Sequence, residues 1–172
     1  MTRVFGLDLS LTSTGWSCGD ERGTVSFVKL RDESRLVAIR DELQSLIVEK
    51  FSKPVVVIEG YSFGSRNSQS HSIGELGGVV KVMLHENGVS FVVVPPTVRA
   101  KFATGKGNAS KHEVVSAVSA RTGIVWAGKG SDDMCDAFVL EEMGRVHFGC
   151  GRFEWPASHL DALKKITWEE TE

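Results

Sequence analysis

The sequence predicts a mixed α/β fold: one five-stranded sheet, part antiparallel meander and part parallel, with helices on both faces. Three observations carry this. The first thirty residues hold three short strand patterns separated by tight turns, at 3–9, 14–18 and 24–30. Two later runs, PVVVIE and VSFVVV, are continuously apolar and β-branched, which suits strands buried on both faces beside parallel neighbours. Amphipathic helical stretches separate and follow these runs, giving the order β β β α β α β α α.

The chain bears this out element by element. The stretch 3–9 opens as a buried strand through Val4, Phe5 and Leu7, and the hydroxyl-rich run LSLTSTG turns it back through Trp16 to Cys18. Thr24–Leu30 alternates apolar and polar residues and reads as the third strand. Within 31–51, Leu36, Ile39, Leu43, Leu46 and Ile47 share one helix face, and the opposite face is charged. Pro54 begins the fourth strand, which ends at Glu59 before Gly60. The loop 61–72 holds two aromatics and no acid. A helix at 73–85 contains Gly77 and Gly78, which suggest close backbone packing. The fifth strand at 89–94 stops at Pro95-Pro96, a short helix covers 97–102, and a glycine loop spans 103–110. Helices at 111–121 and 131–148 complete the pattern, the latter with Ser131 as its N-cap. Residues 1–148 are expected to form one domain, with 149–172 a tail whose aromatics pack on it.

With 172 residues the chain is large enough for a full core. Its 41% hydrophobic and 24% charged content is ordinary for a soluble globular protein. No apolar run approaches the roughly 20 residues that span a bilayer, and the N-terminus enters a strand without a signal-peptide pattern. Cys18, Cys135 and Cys150 are scattered and odd in number, which suits reduced thiols in the cytoplasm. The net charge of −2 excludes a polyanion-binding chain of the uniformly basic kind, so contact with nucleic acid must come from local clusters.

The informative residues are acids in costly places. Asp8 lies in an apolar strand, where a carboxylate needs pairing, water or a metal. One reading is an Asp capping its own turn; the other is a site. Glu59 ends a strand that can lie beside the first. In SDDMCDAF, Asp132 and Asp133 gain from the helix dipole, which accounts for them structurally. Asp136 lies beyond the first turn, shares a face with Asp133, and stands at the margin of a buried stripe. Four such acids in one crevice cannot all remain ionised without a cation. Oxygen ligands favour Mg²⁺ or Mn²⁺, and a pair of such ions about 3.5–4 Å apart drives in-line phosphodiester hydrolysis.

Between Pro95 and His112 there are Arg99, Lys101, Lys106 and Lys111 and no acid. The Gly105-Lys106-Gly107 segment offers backbone N–H groups and a cation to phosphates, though it lacks the leading glycine of a Walker A loop. A solvated basic loop is the competing reading. Arg66 and His71 can also meet phosphates, and Tyr61 and Phe63 either stack on an unpaired base or pack under their loop.

The segments GLDLSLTSTGW, VVVIEGYSFG, PPTVRAKFATGKGNASK and DDMCDAF resemble, in order, those of the RuvC-type Holliday junction resolvases of the RNase H-like superfamily, most of all the small bacteriophage versions. The resemblance spans residues 4–140. It implies an RNase H-like fold, two Mg²⁺ ions (or Mn²⁺) on Asp8, Glu59, Asp133 and Asp136, and DNA-phosphate contacts from the basic loop with Lys111 the clearest match. It implies a homodimer that acts on branched DNA, leaving 5′-phosphate and 3′-hydroxyl ends, in a bacterial or phage-host cytoplasm. Two other classes remain open at this point. A non-cleaving branched-DNA-binding protein would keep the basic loops without needing every acid. An ATP-binding domain of the actin and sugar-kinase type shares the first hairpin but needs two such domains.

Overall fold

In the computed structural model, residues 2–61 and 68–168 are described, with the side chains of 68–71 set aside. Strands β1 (Val4–Asp8), β2 (Thr14–Cys18), β3 (Glu21–Val25), β4 (Val55–Glu59) and β5 (Phe91–Val94) form one sheet in the order β3-β2-β1-β4-β5. β1 pairs antiparallel with β2, β2 antiparallel with β3, and β4 parallel with both β1 and β5. This is the mixed sheet read from the sequence. The third strand differs in position: it occupies Glu21–Val25, and the apolar-polar alternation at 26–30 belongs to an irregular segment. The two-residue turn at Gly19-Asp20, with Gly19 at φ 67°, starts β3 earlier than the alternation suggests.

Helices α1 (Asp32–Gln44), continued as a π-helical segment Ser45–Lys50, and α2 (Ser68–Glu86) cover one face of the sheet. α3 (Pro96–Thr104), α4 (Lys111–Thr122) and α5 (Ser131–His147) cover the other. The strands alternate between the two cores as a period of two requires. Phe5, Leu7, Trp16, Cys18, Val56 and Ile58 face α1 and α2. Val4, Val57, Val92 and Val94 face α5 and its neighbours. Asp8 and Glu59 continue that second set, being four residues on from Val4 and two on from Val57, so both acids emerge on the α5 side.

Glycine lets α5 approach the sheet. A Cβ on Gly6 would lie 1.9 Å from the Ala137 carbonyl oxygen, and one on Gly15 would lie 2.1 Å from that of Asp133. Any side chain at these positions would push the helix away. The packing expected of Gly77 and Gly78 is not found: a Cβ at either meets nothing within 4 Å among the described residues. The N-cap of α5 is Gly130, at φ 76°, and Ser131 is the first helical residue, so the expected serine cap is corrected by one position. α4 carries the full capping box, in which the Ser110 hydroxyl accepts from Glu113 N–H and the Glu113 carboxylate accepts from Ser110 N–H.

Beyond α5 the chain folds back. Trp155, Ala162 and Ile166 are buried in the core on the α5 face, and a short helix α6 spans Ala157–Leu160. Two adjacent buried acids on α5 hold this return. Glu142 accepts from the backbone N–H groups of Arg152 (2.7 Å) and Phe153 (3.1 Å) and pairs with the Arg152 guanidinium at 3.3 Å. Glu141 accepts from Ser17 Oγ (2.6 Å) and Gly19 N–H (2.9 Å) and pairs with Arg152 at 3.0 Å. The three cysteines are free thiols. No described helix is long and apolar enough to cross a membrane.

Candidate active site

The parallel pairing of β1 with β4 places Leu7 opposite Ile58, so Asp8 and Glu59 close neighbouring interior strands at the same end of the sheet. On the other side Asp8 pairs with Gly15, the residue against which the Asp133 backbone rests. The close approach at Gly6 and Gly15 thus sets Asp133 and Asp136 over the strand ends. Asp133 is nearly buried (side chain 15% exposed), and Asp136 is buried.

The four acids are neutralised unequally. Arg99, on α3, donates from Nε to Glu59 and from Nη1 to Asp136. Lys111, the first residue of α4, reaches Asp132 and Asp133 at 3.3 Å each. Asp8 has no hydrogen-bond donor and no ion-pair partner among the described residues. Burial, then the charges of Glu59 and Asp136, push its carboxyl well above the ordinary value, and Arg99 and Lys111 offset this only in part. Burial likewise lifts Asp136 to about 6, with Glu59 adding to the effect and Arg99 opposing it. Burial alone would lower the Arg99 pKa, but Glu59 and Asp136 outweigh it and the net shift is upward. Lys111 is raised in the same way, Asp133 and Asp132 overcoming its desolvation. Asp132 behaves differently. Despite partial burial it is held below its usual range by Lys111 and by backbone N–H groups at the start of α5. That matches a helix-start residue rather than a member of the buried set.

The sequence-derived DNA contacts divide into three groups. Lys106 is exposed on the loop after α3, and Lys101 is half-buried one turn earlier. Lys111 is accessible (57% exposed) but already paired with acids. Arg99 is not where a phosphate contact would be. Only 7% exposed, it is a counter-ion inside the acidic cluster, because the parallel β4–β5 pairing and the Pro95-Pro96 turn direct α3 back over Glu59. Tyr61 is partly exposed beside Glu59, next to a small recess lined by Leu9, Ile58 and Val93. Phe63 and Arg66 lie outside the described residues, as does the side chain of His71.

Sequence reading misses two features. One is Arg99 as internal partner; the signal is a lone Arg within the turn bounded by buried Val98 and Phe102. The other is the Glu141–Glu142–Arg152 network, signalled by two acids inside the otherwise apolar run AFVLEEMG.

The donor set suits a hard divalent cation by its chemistry: oxygen ligands only, and one acid, Asp8, left without a partner. No three of the described His, Cys, Asp and Glu residues stand together as a ready ligand group. Two of the four acids are instead held by the Arg99 guanidinium.

Comparison with known proteins points the same way as this geometry. The sequence is 27% identical over 149 residues to the crossover junction endodeoxyribonuclease RuvC of Caldicellulosiruptor saccharolyticus, covering 80% of this chain and 89% of that one. It is 28% identical over 156 residues to RuvC of Gloeobacter violaceus, covering 84% and 88%. The chain is similar to the RuvC endonucleases over most of its length. Its fold agrees with that of Thermus thermophilus RuvC in complex with a Holliday junction substrate, at a TM-score of 0.69 and 21% identity over 90% of this chain and all of that one. No protein-family model matches the sequence. The RuvC-like fold is the RNase H-like α/β arrangement expected from the segments at residues 4–140.

Proposed function

We propose that the chain is a metal-dependent, structure-selective endonuclease that hydrolyses phosphodiesters in branched DNA, with four-way junctions as its first substrate and forks or flaps as further ones. The observation that carries this is the placement of Asp8 and Glu59 at neighbouring strand ends with Asp133 and Asp136 of α5 over them, Asp8 being partly buried and unpartnered among the described residues, in a fold that matches a RuvC bound to a Holliday junction. The four carboxylates would hold two divalent ions, Mg²⁺ or Mn²⁺. Such ions lower the pKa of bound water and offset charge on the departing oxygen.

The chain's own residues do the rest. Gly6 and Gly15 fix the height of α5 over the sheet and hence the spread of the acids. Lys106, exposed, and Lys101, half-buried, would supply positive charge to the DNA backbone. Lys111 is poised to exchange its acidic partners for a phosphate. Tyr61, partly exposed beside Glu59, offers a ring face on which an unpaired base could stack. Paired nicks across a junction would come from a homodimer. A protein that binds branched DNA without cutting it has no use for a partly buried, unpaired Asp8, which costs stability and repels phosphate.

The test is incubation of end-labelled four-way junction, flap and linear duplex with and without Mg²⁺. Metal-dependent nicking of a branched substrate, with linear duplex left intact, is the expected result. Tight junction binding with no product at any metal concentration would instead establish the non-cleaving reading.

A further inference from the structure

The tail that returns after α5 reaches the loop that carries Lys106. In a helix continued past Thr104, the Lys106 N–H would donate to the Phe102 carbonyl four residues back. Here it donates to Thr104 Oγ1 at 3.0 Å, and Gly105, at φ 82°, turns the chain out of α3. The carbonyl of the buried Phe102 is left without a backbone donor among the described residues. His159 of α6 supplies one. Its Nδ1 lies 2.8 Å from the Phe102 oxygen, and because a carbonyl only accepts, that nitrogen carries the proton.

The same ring bounds the loop. A Cβ on Gly105 would lie 3.1 Å from His159 Nε2, and one on Gly107 would lie 3.2 Å from the Thr97 carbonyl oxygen. The segment Gly105-Lys106-Gly107 is therefore held between α3 and a histidine from the far end of the chain, while Lys106 stays exposed. His159 is itself anchored. Trp155 is buried, with its ring centroid 4.4 Å from that of Phe102. Arg121 of α4 lies over the Trp155 ring at 5.0 Å and donates from Nη1 to the Glu154 carbonyl at 2.9 Å. Ala162, just beyond α6, is buried in the same core.

We propose that His159 is a positioning residue for DNA binding: it caps the end of α3 and braces the loop 105–107, so that Lys106 meets a phosphate without the loop having to be ordered first. The proposal rests on the reading that Lys106 contacts DNA. His159 acts through the loop and not on the DNA itself.

The test is binding of a four-way junction in EDTA and single-turnover cleavage in Mg²⁺, on the full chain, with thermal melts to establish which variants are folded. His159→Ala should weaken junction binding by about 3–10-fold, the range that one lost hydrogen bond corresponds to, and leave the maximal cleavage rate at saturating protein within about twofold of wild type. His159→Asn, whose amide nitrogen stands where the imidazole Nδ1 does, should restore binding. His159→Gln, whose amide reaches the Nε2 position, should not. In a Lys106→Ala background His159→Ala should add little, because both changes act on one contact. Wild-type affinity in a folded His159→Ala or His159→Gln protein, or full additivity with Lys106→Ala, would overturn the proposal while leaving the nuclease reading intact. Hydrogen exchange needs no variant: the Lys106 amide should already be protected in DNA-free wild type, and exchange there at the rate of an unstructured chain would also overturn the proposal. Failure of wild type to bind the junction would overturn the DNA-binding reading itself.

Discussion

Gly15→Ala tests how the site is built without touching any acid. An added Cβ would lie 2.1 Å from the Asp133 carbonyl oxygen and 2.4 Å from its carbonyl carbon. Carbon–oxygen contacts need about 3.3 Å or more, so the first turn of α5 must retreat by roughly 1 Å. Overpacking of this kind costs about 1–3 kcal/mol, which for a chain of this size lowers Tm by about 2–12 °C. The same retreat moves Asp133 and Asp136 relative to Asp8 and Glu59. A misplacement of about 1 Å can cost on the order of 100-fold in rate, so kcat on a four-way junction should fall by about that factor while junction affinity in EDTA changes little. Gly78→Ala is the matched control. Its Cβ meets nothing within 4 Å among the described residues and it replaces a mid-helix glycine, so it should leave cleavage intact and raise stability by up to about 1 kcal/mol. The assays are a thermal melt, a gel shift in EDTA and single-turnover cleavage in Mg²⁺. A Gly15→Ala protein with wild-type Tm and wild-type cleavage would refute the claim that this contact sets the site.

Three further outcomes are expected. Lys106→Ala should reduce the slope of log affinity against log salt by about 0.9 and weaken binding to all DNA shapes alike, as a gel-shift salt series would show; an unchanged slope would make the loop a solvated turn. Because the folded-state pKa of Asp136 is raised to about 6, its contribution to stability is fully present below the unfolded value near 3.8 and is lost as pH rises through 6. In EDTA, wild type should therefore lose stability relative to Asp136→Asn between about pH 4 and 6 in denaturant titrations, and parallel curves would contradict the shift. Arg152→Ala removes a guanidinium from Glu141 and Glu142 but leaves Glu141 its Ser17 and Gly19 donors and Arg145 at 3.7 Å, and Glu142 its backbone N–H donors, so it should cost about 1.5–3 kcal/mol in a urea titration, whereas a loss under about 1 kcal/mol would mean that the returning tail is held by Trp155 and Ile166 alone.

The sheet is legible in the sequence because its signals are local. Continuous β-branched runs at PVVVIE and SFVVV mark parallel strands, and the turn-rich opening marks the meander. Asp8 and Glu59 are legible as a pair because each breaks such a run at its end. The α5 acids are legible because a period of 3.6 residues puts Asp133 and Asp136 on one face. Less local features escape. Arg99 looks like a member of a basic loop, since its burial depends on how α3 docks over β4, which no sequence pattern near it records. Gly6 and Gly15 read as turn or strand residues, while their purpose is the approach of a helix more than 110 positions away. Gly77 and Gly78 mislead in the opposite sense, because a glycine shows that a side chain is absent and not what fills the space. The start of β3 depends on a turn at Gly19 that outweighs the apolar alternation after it.

The most direct measurement is cleavage by Asp8→Asn beside wild type on a labelled four-way junction in Mg²⁺, with binding to the same junction measured in EDTA. Asp8 is the one acid of the four with no partner among the described residues, so its charge has no structural use except toward a cation. The substitution keeps the shape and removes a partly buried charge that repels Glu59 and Asp136. The variant should be at least as stable as wild type and bind the junction at least as tightly, while its cleavage rate falls by orders of magnitude. Wild-type cleavage by a folded, junction-binding Asp8→Asn protein would contradict the assignment of this site.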